Sequence, residues 1–294
     1  MKTNKTLLLI AGPTASGKTD VSIALAKRYN TCVISTDSRQ FYKEMKIGTA
    51  VPSDEDLKQV KHYFIGHLSV HDYYNIYKFE TDALSVLNEC FQTKDTVIAC
   101  GGSGLYIDAL CYGVDDFPDP DPHLRKELTE HIRNNRIDVL LQQLSELDPA
   151  YYEIVDKNNP HRILRAVEVC LQTGKTYSSQ RKQNQKERQF TVKKYCLDVA
   201  REILYQRINR RTDQMIAQGL IEEAKALYPL RYLNALNTVG YKEIFEYLEG
   251  KSTLEESIAN IKTHTRRYAK RQITWFKRDT TYQWISPEEA IENI

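Results

Sequence analysis

Residues 7–20, Leu7-Leu8-Leu9-Ile10-Ala11-Gly12-Pro13-Thr14-Ala15-Ser16-Gly17-Lys18-Thr19-Asp20, decide the fold. The run Leu7 to Ile10 is wholly apolar, as in a strand buried on both faces, and Asp20 to Tyr29 is compatible with a helix. The spacing G-x-x-x-x-G-K-T between them predicts strand, phosphate loop, helix. Gly12 and Gly17 let the backbone curl so that loop N–H groups and the helix N-terminus point at phosphate oxygens. Lys18 adds a point charge for the distal phosphate, and the Thr19 hydroxyl is a candidate Mg²⁺ ligand. The loop alone does not identify the owner of the phosphates: a nucleoside triphosphate and a compact diphosphate satisfy the same donors.

The rest of the composition narrows the class. A chain of 294 residues, 27% charged and 41% hydrophobic, has the make-up of an ordinary globular protein, and a net charge of +2 argues for no particular partner. No apolar run near the N-terminus has the length of a signal h-region or a membrane span, so a cytoplasmic protein is expected. The six cysteines, at 32, 90, 100, 111, 170 and 196, show no C-x-x-C spacing; reduced buried thiols are expected, with neither zinc nor disulfides.

Along the chain, Thr31 to Ser35 reads as a second buried strand ending at Thr36-Asp37-Ser38-Arg39-Gln40. Carboxyl ends of parallel strands gather ligands, so Asp37 is expected on the rim of the phosphate loop. Three roles are open to it: a turn or helix-capping aspartate, a Mg²⁺ ligand ending an apolar strand, or a group doing chemistry. His62, His67 and His71 lack metal-ligand spacing and read as packing and surface histidines. A helix from about Ile76 to Phe91 leads to a third strand, Thr96 to Cys100. The turn after it, Gly101-Gly102-Ser103-Gly104, implies close backbone approach.

The alternating prolines of 117–122 forbid helix and sheet interior, and mark a domain boundary. Helices are expected over 123–134, 138–147 and 159–173, the last capped by Asn158 or Asn159 and closed by Gly174. Arg162 and Arg165 share a face near its start, where they oppose the helix dipole; an external anion or plain solvation would relieve that. Lys175 to Lys194 holds seven Lys or Arg and one Glu and reads as an exposed or mobile basic segment. Residues 189–197 read as a strand returning to the main sheet. Helix 201–218 follows, with Arg207 and Arg211 one turn apart, suited to clamping a phosphate or to an ordinary solvated face. The last long helix, about 254–278, has an apolar seam at Leu254, Ile258, Ile261, Tyr268 and Trp275. Lys262, Arg266, Arg267, Lys270 and Arg271 form an uninterrupted basic stripe that favours a polyanion.

Eight collinear blocks carry a resemblance: GPTASGKT at 12–19, STDSRQFY at 35–42, IGTA at 47–50, GGSGLY at 101–106, DP followed by Arg125, HRILRA at 161–166, VGYKE at 239–243 and AKRQITWF at 269–276. On these the sequence resembles the tRNA dimethylallyltransferases. The resemblance implies an α/β fold, a phosphate-loop parallel-sheet core (residues 1–117 plus 190–294) with an all-helical insertion (118–189) that contacts tRNA. It implies transfer of a dimethylallyl group from dimethylallyl diphosphate to the N6 amine of the adenosine beside the anticodon (tRNA position 37), in tRNAs reading U-starting codons. Gly12, Pro13, Thr14, Ala15, Ser16, Gly17, Lys18 and Thr19 would then grip a diphosphate leaving group. Asp37 would be the general base, with Lys18, Mg²⁺ on Thr19, and Arg211 stabilising that group. Asp37, Ser38, Arg39, Gln40, Ser103, Arg125, His161, Arg162, Ile163, Leu164, Arg165, Gly240, Tyr241 and Lys242 would contact tRNA. Ser103 stands where the family usually has Thr, and His161 where Gln is common. A monomer without membrane contact is expected. The rival readings are a small-molecule kinase using Asp37 as base and an RNA-binding phosphate-loop switch; neither requires prenyl transfer.

Overall fold

The computed structural model describes residues 4–181 and 185–294. Two compact units result: one from the chain up to Tyr112 together with Glu187–Ile294, the other Gly113–Lys186. The first begins with β1 (Thr6–Ala11), α1 (Lys18–Arg28), β2 (Val33–Ser35), α2 (Asp54–Gln59), β3 (His62–Tyr63), α3 (Ile76–Thr93), β4 (Thr96–Gly101) and α4 (Gly104–Tyr112). The second comprises α5 (Pro122–Arg133), α6 (Ile137–Leu147), α7 (Pro149–Ile154), α8 (Pro160–Thr173) and α9 (Tyr177–Gln180). The chain re-enters the first with β5 (Thr191–Leu197), α10 (Arg201–Ala217), α11 (Leu220–Leu227), α12 (Tyr241–Leu248), α13 (Leu254–Phe276), β6 (Gln283–Ile285) and α14 (Pro287–Asn293).

The first unit is an α/β fold on one six-stranded sheet, order β3-β2-β4-β1-β5-β6, with every pairing parallel. Helices cover both faces, which is why β1 is apolar throughout rather than alternating. Leu7 and Leu9 enter one core with α3, α4, α12 and α13, while Leu8 and Ile10 enter another with α1 and α14. In register, Ala11 lies beside Gly101 of β4 and Cys196 of β5. The turns that leave β1 and β4 therefore start level with each other at the carboxyl edge of the sheet.

The second unit is wholly helical and packs around Leu128, Leu140, Leu144, Ile163 and Val167. Its caps follow from sequence: the Asp121 side chain accepts from the N–H groups of His123 and Leu124 ahead of Pro122, Asn159 accepts from Arg162, and Gly174 closes α8 with φ 65°. Helices α7 and α9 are too short for a period to reveal them. Buried Asp148 starts α7 by accepting from the Tyr151 N–H and ties it to α9 through the Ser178 N–H and hydroxyl.

Two expectations shift. The break between units comes at Gly113, ahead of the proline run, and residues 187–189 belong to the first unit. The basic segment is also less exposed than its composition suggests. Arg188 is buried, 2.8 Å from the Glu80 carboxylate, and donates to the Ala109 and Leu110 carbonyls near the end of α4. Lys194, 8% exposed, donates to Asp279 at 2.8 Å and to the Tyr112 hydroxyl. Burying paired cations satisfies charges that the sequence presents only as a cluster. Residues 182–184 of that segment lie outside the described residues.

Leu144 is fully buried between the helices of the second unit. Leu144→Ala is expected to cost that unit about 2–5 kcal/mol, read as faster amide exchange across α5–α8 with the amides of β1 and β4 unchanged.

Candidate functional site

The site is built where β1, β2 and β4 end. Gly17, with φ 91°, is the N-cap of α1, and Ala15 also takes a positive φ of 64°, packing its methyl against the Leu204, Ile208 and Ala269 cluster of α10 and α13. The curled loop turns the Gly12 and Pro13 carbonyls toward Lys18, whose ammonium donates to them at 3.0 and 2.7 Å. Burial lowers the Lys18 pKa, opposed by the neighbouring Cys100 and Asp37 and reinforced by Arg211. Arg211 donates to the Thr14 hydroxyl at 3.4 Å and to the Ala50 carbonyl at 3.2 Å; burial lowers its pKa too, and Asp37 opposes this. A side chain on Gly17 would lie 3.9 Å from the Arg207 guanidinium, so Arg207 and Arg211 of α10 both reach the loop.

Asp37 follows β2, where its carboxylate accepts from the Arg39 N–H at 3.1 Å. Ser38 meets Ser103 through its N–H and its hydroxyl, at 3.1 and 3.2 Å. The glycines after β4 have steric causes. A Cβ on Gly101 would lie 2.2 Å from the Thr36 hydroxyl, on Gly102 2.2 Å from the Gln272 amide nitrogen, and on Gly104 2.3 Å from the Trp275 ring. The close approach implied by the sequence is thus to β2's end on one side and to α13 on the other.

These parts line one cavity of about 1540 Å³, wholly within the first unit. Lys18, Thr19, Asp37, Arg39, Arg207, Arg211, Lys242 and Arg271 all face it. Its wall carries nine Lys or Arg against five Asp or Glu, a balance that attracts anions. The Thr19 hydroxyl and Asp37 carboxylate are hard oxygen donors of the kind Mg²⁺ takes. Among the described residues no group of three or more His, Cys, Asp or Glu could hold a metal unaided. His62 and His67 are packed groups: His62 Nδ1 lies 2.8 Å from the Val60 carbonyl, His67 sits among Phe41, Phe64 and Tyr74, and burial lowers both pKa values.

The second unit presents its own cluster. Glu168, fully buried, takes both Arg125, through two guanidinium nitrogens, and Arg165, at 2.6 Å. Arg165 also donates to the Pro118 carbonyl at 2.9 Å. Two arginines on one carboxylate leave an excess positive charge beside exposed His161 and Arg162.

The comparisons with known proteins agree with one another. The sequence model of the family described as IPP transferase matches residues 40–279. The chain belongs to the IPP transferase family. It is 50% identical over 288 residues to the tRNA dimethylallyltransferase of Christiangramia forsetii, covering 98% of this chain and 95% of that one. It is 49% identical over 290 residues to tRNA dimethylallyltransferase 1 of Bacteroides fragilis, covering 99% and 96%. The crystal structure of the tRNA isopentenylpyrophosphate transferase of Bacillus halodurans matches with a TM-score of 0.70 at 35% identity, covering 98% of this chain and 94% of that one. A eukaryotic dimethylallyltransferase captured acting on tRNA matches with a TM-score of 0.79 at 27% identity, over 96% and 74%.

Within this family member, several residues expected to touch tRNA are interior. Ile163 and Leu164 are core of the second unit, and Tyr241 is fully buried with its hydroxyl donating to Glu223 at 2.7 Å. Their side chains hold neighbours in position and offer no contact surface. Gly240, also buried, donates its N–H to Glu243 at 2.7 Å, leaving Lys242 as the exposed member of that block. Arg39 donates to the Asn234, Ala235 and Asn237 carbonyls, and Gln40 to those of Thr49 and Ala50. Of the expected seam of α13, Ile261 is buried and Leu254 and Trp275 pack partly buried against the same core, joined by buried Ser257, Ala269, Gln272 and Phe276. Tyr268 instead faces the cavity and is 36% exposed. In the basic stripe, Lys262 pairs with Asp213 at 2.6 Å and Arg266 with Asn209 at 2.8 Å, while Arg267, Lys270 and Arg271 are exposed.

Glu223 gave no sequence signal, since acids in the first turn of an amphipathic helix, here Glu222 and Glu223, are unremarkable. It accepts from the N–H groups of Lys46, Ile47 and Gly48 as well as from Tyr241, fixing the loop that forms one wall of the cavity. Glu223→Ala is expected to destabilise the chain by about 1–3 kcal/mol, because four donors lose one acceptor. A lowered denaturation midpoint and faster amide exchange at 46–48 check this.

Proposed function

We propose that this protein is a tRNA dimethylallyltransferase. It joins the dimethylallyl group of dimethylallyl diphosphate to the N6 amine of the adenosine beside the anticodon and releases diphosphate. The observation that carries the reading is the single cavity shared by a phosphate loop, the Arg211 guanidinium and the Asp37 carboxylate, in a member of the IPP transferase family. A carboxylate and a phosphate cradle in one cavity suit a reaction that removes a proton at one end and expels an anion at the other.

The chemistry follows from those charges. The exocyclic amine is a weak nucleophile, and Asp37 accepts its proton as the new N–C bond forms. The allylic C–O bond breaks with its electron pair staying on diphosphate, where Lys18, Arg211 and the N–H groups of the loop take up the growing charge. Mg²⁺, held by Thr19, would supply further positive charge to the diphosphate oxygens. Burial that lowers the pKa of Lys18 and Arg211 means both cations lack full solvation, so an entering anion interacts with them strongly.

The target base is stacked in the anticodon loop and must be extruded to meet Asp37. Ser38 and Ser103 at the cavity side, Lys242, and Arg125, His161, Arg162 and Arg165 of the insertion are the groups we assign to tRNA. The exposed Arg267, Lys270 and Arg271 give α13 phosphate-backbone contacts of the kind that position a nucleic acid without reading its sequence. Among the described residues no helix is long and apolar enough to cross a membrane. We assign action as a cytoplasmic monomer, where tRNA is available, because the exposed large hydrophobic side chains are scattered over separate elements.

The test is incubation with radiolabelled dimethylallyl diphosphate, Mg²⁺ and total tRNA, following label into tRNA. Transfer that stops on chelation of Mg²⁺ is expected; absence of transfer together with phosphorylation of a metabolite would overturn the reading. Asp37→Ala should lower turnover by about 10²–10⁴-fold, the usual worth of a general base, with tRNA affinity changed only a few fold. Unchanged turnover removes Asp37 from that role.

A further inference from the structure

Gln272 joins the two strand-end turns from a third element. Its side-chain carbonyl accepts from the Thr14 N–H of the phosphate loop at 2.8 Å, and its amide nitrogen donates to the Gly102 carbonyl at 2.9 Å. The residue is only 5% exposed, so these backbone groups have little water to fall back on. A carboxamide meets both needs at once, offering an acceptor and a donor in one plane. The turn after β4 admits it because Gly102 has no side chain: a Cβ there would lie 2.2 Å from the Gln272 nitrogen and 3.2 Å from the Gly12 carbonyl.

The consequence lies in what else α13 carries. Tyr268 is one turn before Gln272 and Arg271 is adjacent to it, and both line the cavity. Thr14, which Gln272 holds by its N–H, also receives Arg211 through its hydroxyl. One buried side chain therefore fixes the rotation of α13, the path of the phosphate loop and the seat of Arg211. We propose that Gln272 is a positioning residue of the diphosphate site, setting the loop and Arg211 in the geometry that receives the leaving group. This rests on the diphosphate reading of the cavity and adds a residue to it.

The test separates the two. Binding of inorganic pyrophosphate with Mg²⁺ is measured by calorimetry on the full chain, and if the parent protein does not bind it the diphosphate reading fails. With the parent binding, Gln272→Met, which keeps length and loses both polar contacts, is expected to weaken pyrophosphate affinity by about tenfold or more. It should raise KM for dimethylallyl diphosphate in parallel, with tRNA affinity nearly unchanged. Gln272→Glu keeps the acceptor for Thr14 and should recover part of the loss, a rescue that a general packing role would not produce. Gly102→Ala, which pushes the carboxamide aside without altering Gln272, should repeat the defect and serves where the methionine variant does not fold. Pyrophosphate affinity and KM within about twofold of the parent in Gln272→Met, or in Gly102→Ala should the methionine variant not fold, would overturn the proposal.

Discussion

The site depends on how closely α13 approaches the turns that leave β1 and β4. Three glycines, 101, 102 and 104, are contacts as much as turns, since a single methyl at any of them would meet Thr36, Gln272 or Trp275 at 2.2–2.3 Å. Protein interiors transmit such misfits because they are close-packed. Removing the side chains at the strand ends lets a helix from the far end of the sequence lie directly on the phosphate loop. Polar pairing then fixes what steric permission allows: Gln272 to Thr14 and Gly102, and the Trp275 indole N–H to Asp108 at 3.2 Å. The cavity inherits its shape from this docking.

The charges obey a related constraint. Lys18 and Arg211 are both depressed by burial and repel each other; Cys100 and then Asp37 oppose this at Lys18, and Asp37 opposes it at Arg211. An anionic ligand entering between them relieves the repulsion. The Asp37 carboxylate thus helps keep two cations charged in a confined space. Two cations that do not face the cavity are neutralised locally, Arg188 on Glu80 and Lys194 on Asp279.

Much of this was legible in the sequence wherever the cause is local. The β1–loop–α1 unit, the rim position of Asp37 and the capped start and glycine stop of α8 follow from short-range patterns whose physics lies within a few residues. What failed was set by distant partners. Tyr268 was read into the apolar seam of α13 because an amphipathic count cannot tell a core face from a cavity face. Tyr241 read as a contact residue, yet its side chain is buried on Glu223. The basic run near 188–194 looked solvated because its acids, Glu80 and Asp279, lie about a hundred residues away on either side. The edge strands β3 and β6 are too short to declare a period.

The sequence blocks that carried the family resemblance acquire a physical reading when paired by contact. Block 47–50 meets 239–243 through Gly48 against the Tyr241 ring, with Glu223 binding both. Block 101–106 meets 269–276 through Gln272 and Trp275, and block 12–19 meets it through Thr14. Block 35–42 reaches the stretch just before 239 through Arg39. In each pair one member precedes the helical insertion and the other follows it. These contacts of the cavity wall therefore form only between a part of the chain that precedes the insertion and a part that follows it. A residue in one block is constrained by the shape of its partner as well as by the ligand, so a motif position such as Tyr241 can be fixed by packing alone. Lys18, Thr19, Asp37, Arg211, Tyr268 and Arg271 by contrast line the cavity, so their polar groups answer to its contents as well as to the fold.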